Sequence, residues 1–294
     1  MIQKWSADQL EVFDRDGFLI IDAGFIDDEA IERLRMAFDR LFAGEYERGI
    51  RPDEVNWVAG RDPEDRTRQI CNGWKADTAV AAQVLSERTG RLAAELMGWH
   101  GVRLLQDNVI WKPPGTKSLG MHQDGSYLDY LVPPAMVTCW IALDDTSAEA
   151  GTITYAAGSH RWRRAQENRG EFHAPADWLA PVERALPARE ELRLVPIEVE
   201  AGGASFHHHL TFHGSGPNTA AIDRRACISH LIPADAEFHP VNVDPTYSRY
   251  RRIGDTALDE SFFPVVWTRD RGRSAWLDTQ PPEHVGSVLA ERRH

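Results

Sequence analysis

The 294-residue chain is poor in several features that mark whole protein classes. It has three cysteines, Cys71, Cys139 and Cys227, far apart and without a CxxC pair. That argues against a disulfide framework or a thiolate zinc site and fits free thiols in a reducing compartment. Lysine is confined to Lys4, Lys75, Lys112 and Lys117, and acidic residues outnumber basic ones by 45 to 33, a formal charge of −12. A nucleic-acid surface needs clustered positive charge, so no nucleic-acid partner is expected. No stretch approaches 18 apolar residues, and Met1-Ile2-Gln3-Lys4-Trp5 lacks the apolar core of a signal peptide. Neither membrane insertion nor export is expected, and the expected location is the cytoplasm.

With 42% hydrophobic and 27% charged residues, the composition is that of a globular protein long enough to bury a sizeable core. Ser6 and Gln9 form a capping-box pattern before Leu10 and Phe13, and Gly17 stops that helix. Phe18–Ile21 reads as a buried strand. Asp27 or Asp28 caps a second helix with Ile31, Leu34, Phe38, Leu41 and Phe42 at helical spacing. Residues 45–75, polar and holding Pro52 and Pro63, read as a loop, and a third helix is expected from Asp77 to about Met97. From residue 102 short apolar runs alternate with turn signals: 102–112, 120–124, 135–143, 152–156, 192–199, 205–213 and 225–232. Many short strands after helices predict a mainly β fold, a sandwich or barrel with the N-terminal helices on one sheet. The charged stretch 160–190 reads as an insert. Residues 236–294, rich in Arg, Pro and Trp, read as a wrap around the barrel.

One His-x-Asp occurs, at His122-Gln123-Asp124. On a strand, positions i and i+2 point to the same face, as two ligands of one metal require. Two histidines and a carboxylate on one face of an octahedral metal leave three positions open, the arrangement of non-heme Fe(II) oxygenases. His213 is the candidate second histidine, because Gly214-Ser215-Gly216-Pro217-Asn218 follows it and a strand ending in such a turn leaves its last side chain at a barrel mouth. His207, His208 and His209 lie upstream. Period 2 puts His207, His209, Thr211 and His213 on one face, so His209 is a candidate substrate contact, although a polar strand edge explains all three equally well. Arg224 and Arg225 open the next strand, and a hairpin would carry one of them inward beside His213. A buried arginine is costly without an anion, and 2-oxoglutarate supplies a carboxylate that would pair with it. Gln106, Asn108, Ile110 and Lys112 share one strand face, read either as a cavity wall or as an exposed sheet. Trp140 is read either as a core aromatic or as a pocket wall.

These motifs resemble the phytanoyl-CoA dioxygenase family of Fe(II)/2-oxoglutarate oxygenases, which includes ectoine hydroxylase-like enzymes. The resemblance runs from Phe13-Asp14-Arg15-Asp16-Gly17-Phe18 through Lys112-Pro113-Pro114-Gly115, His122-Gln123-Asp124, Trp140-Ile141-Ala142-Leu143-Asp144 and Ala157-Gly158-Ser159-His160 to His213–Asn218 and Arg224. It implies a double-stranded β-helix (jelly roll, cupin-like) in a single domain: helical support over 1–100, a core over 101–235 and a C-terminal wrap over 236–294. It implies iron on His122, Asp124 and His213. It implies 2-oxoglutarate held by Arg224 with Ser215, lined by Trp140 and contacted by Gln106 and, beside it, Asn108. The expected reaction is hydroxylation of a small molecule with release of succinate and carbon dioxide. Asp124 stands where related halogenases have Ala or Gly, which disfavours halogen transfer. Tyr127, Tyr130 and Trp267 join His209 as candidate substrate contacts. Two other readings compete, a non-catalytic jelly-roll binding protein and a cupin-type isomerase or dioxygenase that works without 2-oxoglutarate. The sequence is silent on oligomeric state.

Overall fold

The computed structural model describes residues 4–165, 172–270 and 272–279. Ser6 caps α1 (Ala7–Asp16) through a reciprocal pair with Gln9, and Gly17 closes it at φ 81°. β1 (Phe18–Ile21) and α2 (Asp28–Phe42) follow, and then β2 (Glu54–Val55), β3 (Arg68–Cys71), α3 (Thr78–Val84) and α4 (Glu87–Met97). The β region holds β4 (Gly101–Lys112), β5 (Leu119–His122), β6 (Leu131–Val132), β7 (Val137–Ala142) and β8 (Ile153–Ala156). After α5 (Ala180–Ala185) come β9 (Leu194–Pro196), β10 (Ala204–His208), β11 (His213–Ser215) and β12 (Arg224–Pro233). β13 (Glu237–Phe238), β14 (Val265–Thr268) and α6 (Ala275–Thr279) complete the described chain.

The larger sheet has eight strands in the order β1-β10-β7-β12-β4-β3-β2, with β14 on the far end of β4. It faces a four-stranded sheet, β5-β11-β8-β9, across the interior. This is a jelly roll with its helices on the outer face of the large sheet. Alternation divides the large sheet cleanly. Val137, Cys139, Ile141, Phe206, Cys227 and Val109 face the helices and form one core with Ile31, Leu34, Phe38 and Leu41 of α2. Their neighbours Trp140, Ile110, Ala226 and Ile228 face the other sheet and form a second core with Ile153 and Tyr155. No helix among the described residues is long and apolar enough to cross a membrane.

Several expectations are corrected. Residues 45–75 are not a plain loop, because β3 pairs with β4 from Arg68↔Trp111 to Cys71↔Asn108 and β2 extends that edge. The third helix is two helices, since Ser86 accepts the Thr89 N–H and starts α4 afresh. The expected strand 205–213 is two strands in different sheets. β10 pairs with β7 in the large sheet, and after a turn in which Thr211 N–H donates to His208 O, β11 pairs with β5 and β8 in the small one. The shared face inferred for His207, His209, Thr211 and His213 therefore does not exist. Nor do β11 and β12 form a hairpin, because β12 lies between β4 and β7. Part of the insert 160–190 (166–171) and most of the end of the expected wrap (280–294) lie outside the described residues. The remainder of the wrap contributes β14 to the large sheet and residues 244–247 to the rim of the interior cavity.

Candidate active site

Between the sheets lies a cavity of about 380 Å³. His122, Asp124 and His213 meet on its wall, with one ligand atom from each within 4.8 Å of the others. His122 ends β5 and His213 starts β11, paired directly across the small sheet. The register then shifts, so that one residue of β11, Gly214, faces two of β5, Gly120 and Met121, between the His213–His122 and Ser215–Leu119 pairs. This bulge turns both Leu119 and His122 toward the cavity. It also requires Gly214, where a Cβ would lie 2.9 Å from Leu119 O and from Met121 N. Asp124 lies beyond β5, at the start of a short 3₁₀ turn (Asp124–Tyr127), so the strand alternation expected for His122 and Asp124 does not apply. The Gln123 side chain holds that turn, donating to Leu210 O at 2.7 Å and accepting from Ala165 N at 2.7 Å.

The protonation pattern suits a cation. Nδ1 of His122 is 3.0 Å from Gly120 O and Nδ1 of His213 is 3.0 Å from Thr211 O, so each Nδ1–H donates to a carbonyl. Both Nε2 lone pairs then point at Asp124 Oδ1, each 3.5 Å away. Burial and neighbouring His122 push His213 well below the usual histidine range, which leaves it neutral. Burial alone would raise Asp124, but the hydrogen bond donated by His207 helps hold it well below the usual carboxylate range. Two imidazole lone pairs and a carboxylate converging without a proton between them fit Fe(II).

Deeper in the same cavity lies Arg224, 2% exposed, donating from Nε and Nη2 to Gly151 O at 3.1 and 2.9 Å. Burial pulls its pKa down to about 9. Asp144, the carboxylate that bears on it, is engaged by Arg225 at 2.7 Å and Arg35 at 3.3 Å. Arg225 is thus half-buried against Asp144 rather than sent to solvent. Lys112, read from the sequence as sharing a face with Gln106 and Asn108, is fully buried and donates to Ser215 Oγ at 3.1 Å and to Gly216 O. Burial and Arg224 push its pKa well down. Arg224 has no carboxylate partner among the described residues, and with the Ser215 hydroxyl, itself backed by Lys112, it forms a receptor for an anion. Trp140, Ile110, Ile153 and Ile228 wall the space between them and the histidines.

Tyr127, Tyr130, Gln106 and Asn108 all line the cavity. Gln106 lies toward the rim and accepts from the Tyr247 hydroxyl, while Asn108 contacts His230. His209 and Trp267 do not line it. His209 leaves with the turn after β10, where its Nδ1 meets Met136 O at 2.9 Å and its ring covers Gly125. Trp267, on β14, packs into the helix-side core. Sequence reasoning missed Lys112, Thr138, His207 and His230 as site residues. The signal was there in His230 and Thr138, polar side chains inside otherwise apolar strands.

The sequence pattern of the phytanoyl-CoA dioxygenase family matches residues 13–226. The chain belongs to the phytanoyl-CoA dioxygenase family. It is therefore an Fe(II)/2-oxoglutarate-dependent oxygenase, and the resemblance read from its motifs is borne out. A probable alpha-ketoglutarate-dependent hypophosphite dioxygenase of Stutzerimonas stutzeri is 32% identical over 165 residues, 54% of this chain and 54% of that protein, so the match spans about half of that relative. The peroxisomal phytanoyl-CoA dioxygenase of Mus musculus is 23% identical, covering 78% of this chain and 69% of that one. Among solved structures, the carbocyclase SnoK of nogalamycin biosynthesis superposes with TM-score 0.68 at 24% identity, over 89% of this family member and 96% of SnoK. EctD from S. alaskensis, solved with 2-oxoglutarate and 5-hydroxyectoine, gives TM-score 0.64 at 18% identity, over 92% and 86%. Both show the same fold.

Proposed function

We propose that this family member hydroxylates an unactivated C–H bond of a small-molecule metabolite, with iron on His122, Asp124 and His213 and 2-oxoglutarate anchored by Arg224. Iron, 2-oxoglutarate and oxygen together supply the oxidising power, and succinate and carbon dioxide leave. The chain's own residues bind and orient. Arg224 and Ser215 hold the far carboxylate, Lys112 orients Ser215 from behind, and Trp140 with the three isoleucines excludes water around the cosubstrate. The observation that carries the reading is that a buried arginine, without a carboxylate partner among the described residues, shares one cavity with three converging metal donors. A non-catalytic binding module, or a cupin enzyme working without 2-oxoglutarate, has no use for that cation.

The rim is built from Glu54, Gln69, Tyr127, Tyr130, Asp244 and Tyr247. Among the described residues Arg224 is the sole Lys or Arg on the cavity wall. The rim therefore favours a neutral or cationic substrate over a phosphate-bearing thioester or a phosphorus oxyanion.

Mixed anaerobically with Fe(II) and 2-oxoglutarate, the protein should show a weak visible charge-transfer band. His213→Ala should abolish it, and Arg224→Ala should weaken 2-oxoglutarate binding by roughly 100-fold. An unchanged band in the first variant, or equal binding in the second, overturns the assignment.

A further inference from the structure

Four histidines surround Asp124, three of them buried and His122 partly so, and two of them, His207 and His230, have both nitrogens engaged in hydrogen bonds. Asp124 Oδ2 is 2.9 Å from Thr138 Oγ1 and 3.2 Å from His207 Nε2. A carboxylate only accepts, so both groups donate to it. The single Thr138 proton is then committed, and His230 Nδ1, 2.9 Å from Thr138 Oγ1, must be the N–H that donates to the hydroxyl oxygen. His230 Nε2 is left with a lone pair and accepts from Asn108 Nδ2 at 2.9 Å. Asn108 Oδ1 in turn accepts from Gln69 Nε2 at 3.3 Å. On the other side, His207 Nε2 carries the proton, so Nδ1 accepts from the Tyr155 hydroxyl at 2.9 Å, and the Tyr155 oxygen accepts from Ser205 Oγ at 2.7 Å.

Every bond in both relays points the same way, toward one oxygen. The relays follow the sheet: His207 pairs with Thr138, Thr138 with His230, and the line continues through Asn108 of β4 to Gln69 of β3. Such aligned chains reinforce each other and fix each tautomer. Asp124 Oδ1 accepts from neither relay and faces His122 and His213 Nε2, each 3.5 Å away.

We infer that Thr138 and His207 are positioning residues that make Asp124 a one-oxygen ligand, and that the two relays keep His207 and His230 from joining the metal. The inference rests on the metal-centre reading above. It explains why a carboxylate with four histidines around it presents a two-histidine, one-carboxylate set rather than a histidine-rich one.

The test uses the full chain with Co(II) alone as the probe, read by its visible spectrum and by titration. Thr138→Val and His207→Phe should each raise the Co(II) dissociation constant about 10-fold and alter the spectrum, since outer partners of metal ligands are worth about 10–100-fold in affinity. Thr138→Ser, which keeps the hydroxyl, should restore both. Tyr155→Phe, one bond further out, should weaken Co(II) by a few-fold and stands in if the His207 variant does not fold. Folded Thr138→Val and His207→Phe proteins that bind Co(II) within two-fold of wild type, with the same spectrum, would overturn the inference and leave the metal centre intact. Loss of Co(II) binding in the wild type would instead overturn the metal centre itself, and this inference with it.

Discussion

The inner and outer halves of the cavity are made differently. The inner half is mostly strand: Arg224 and Ile228 on β12, Trp140 on β7, Ile110 on β4, His213 and Ser215 on β11. Each of these strands lies between two others in its sheet. The outer half is drawn from strands β2 and β3 at the end of the large sheet and from segments 127–130, 172–173 and 244–247, which the fold collects from distant stretches of chain. Glu54 at this rim is tied to Thr246 by a hydroxyl bond across 192 residues of sequence. The division separates chemistry from selectivity: reaction parts sit where geometry is rigid, and parts that choose a substrate sit where insertion and substitution are tolerated.

That division also decides what could be read in the sequence. The inner half was legible because its parts are local patterns: His122-Gln123-Asp124, His213–Asn218, and Arg224 at a short distance. Strand β3 was hidden because Gln69 faces the cavity, so its alternation looks like polar coil. The break after His208 was hidden because His208, His209 and Thr211 look like strand residues, and only the structure shows the turn, with Thr211 Oγ1 bonded to Gly17 O at 2.8 Å. The relays on Asp124 could not be read at all, because they join residues from six strands scattered along the chain.

The largest expected contrast between the halves is in acid stability of the inner framework. His208 and His209 join its two sheets, and burial pulls their pKa values to about 3 and about 4. The unfolded chain binds a proton near pH 6.5 that the folded protein excludes. Stability is therefore complete above about pH 6.5 and is lost as pH falls toward 4, by roughly 2 kcal/mol for each histidine at pH 5. Thermal unfolding at pH 7 and pH 5 measures the slope, and His208→Gln should flatten it. A melting temperature that does not fall at pH 5 would show that these rings are not held neutral.

Next in size is a split within the inner half. Lys112→Met keeps the length and removes the charge beside Ser215. The 2-oxoglutarate dissociation constant should rise about 10–100-fold, or about 1.4–2.8 kcal/mol, with Co(II) affinity unchanged. If Co(II) binding falls equally, Lys112 supports the whole strand end and not the anion site.

The smallest effect belongs to the rim. The Tyr247 hydroxyl donates to Gln106 Oε1, and its ring stacks on Tyr130 with centroids 6.0 Å apart. Tyr247→Phe retains the stack and removes one hydrogen bond, worth about 1 kcal/mol. Neither 2-oxoglutarate binding nor its slow turnover without substrate should change. For a metabolite that stimulates succinate release, KM should shift by a few-fold, because the Gln106 amide is then free to reorient into the space the substrate fills. A change in 2-oxoglutarate affinity of the same size would mean that the rim and the inner half are mechanically coupled. The boundary between chemistry and selectivity would then lie further out than the strand ends.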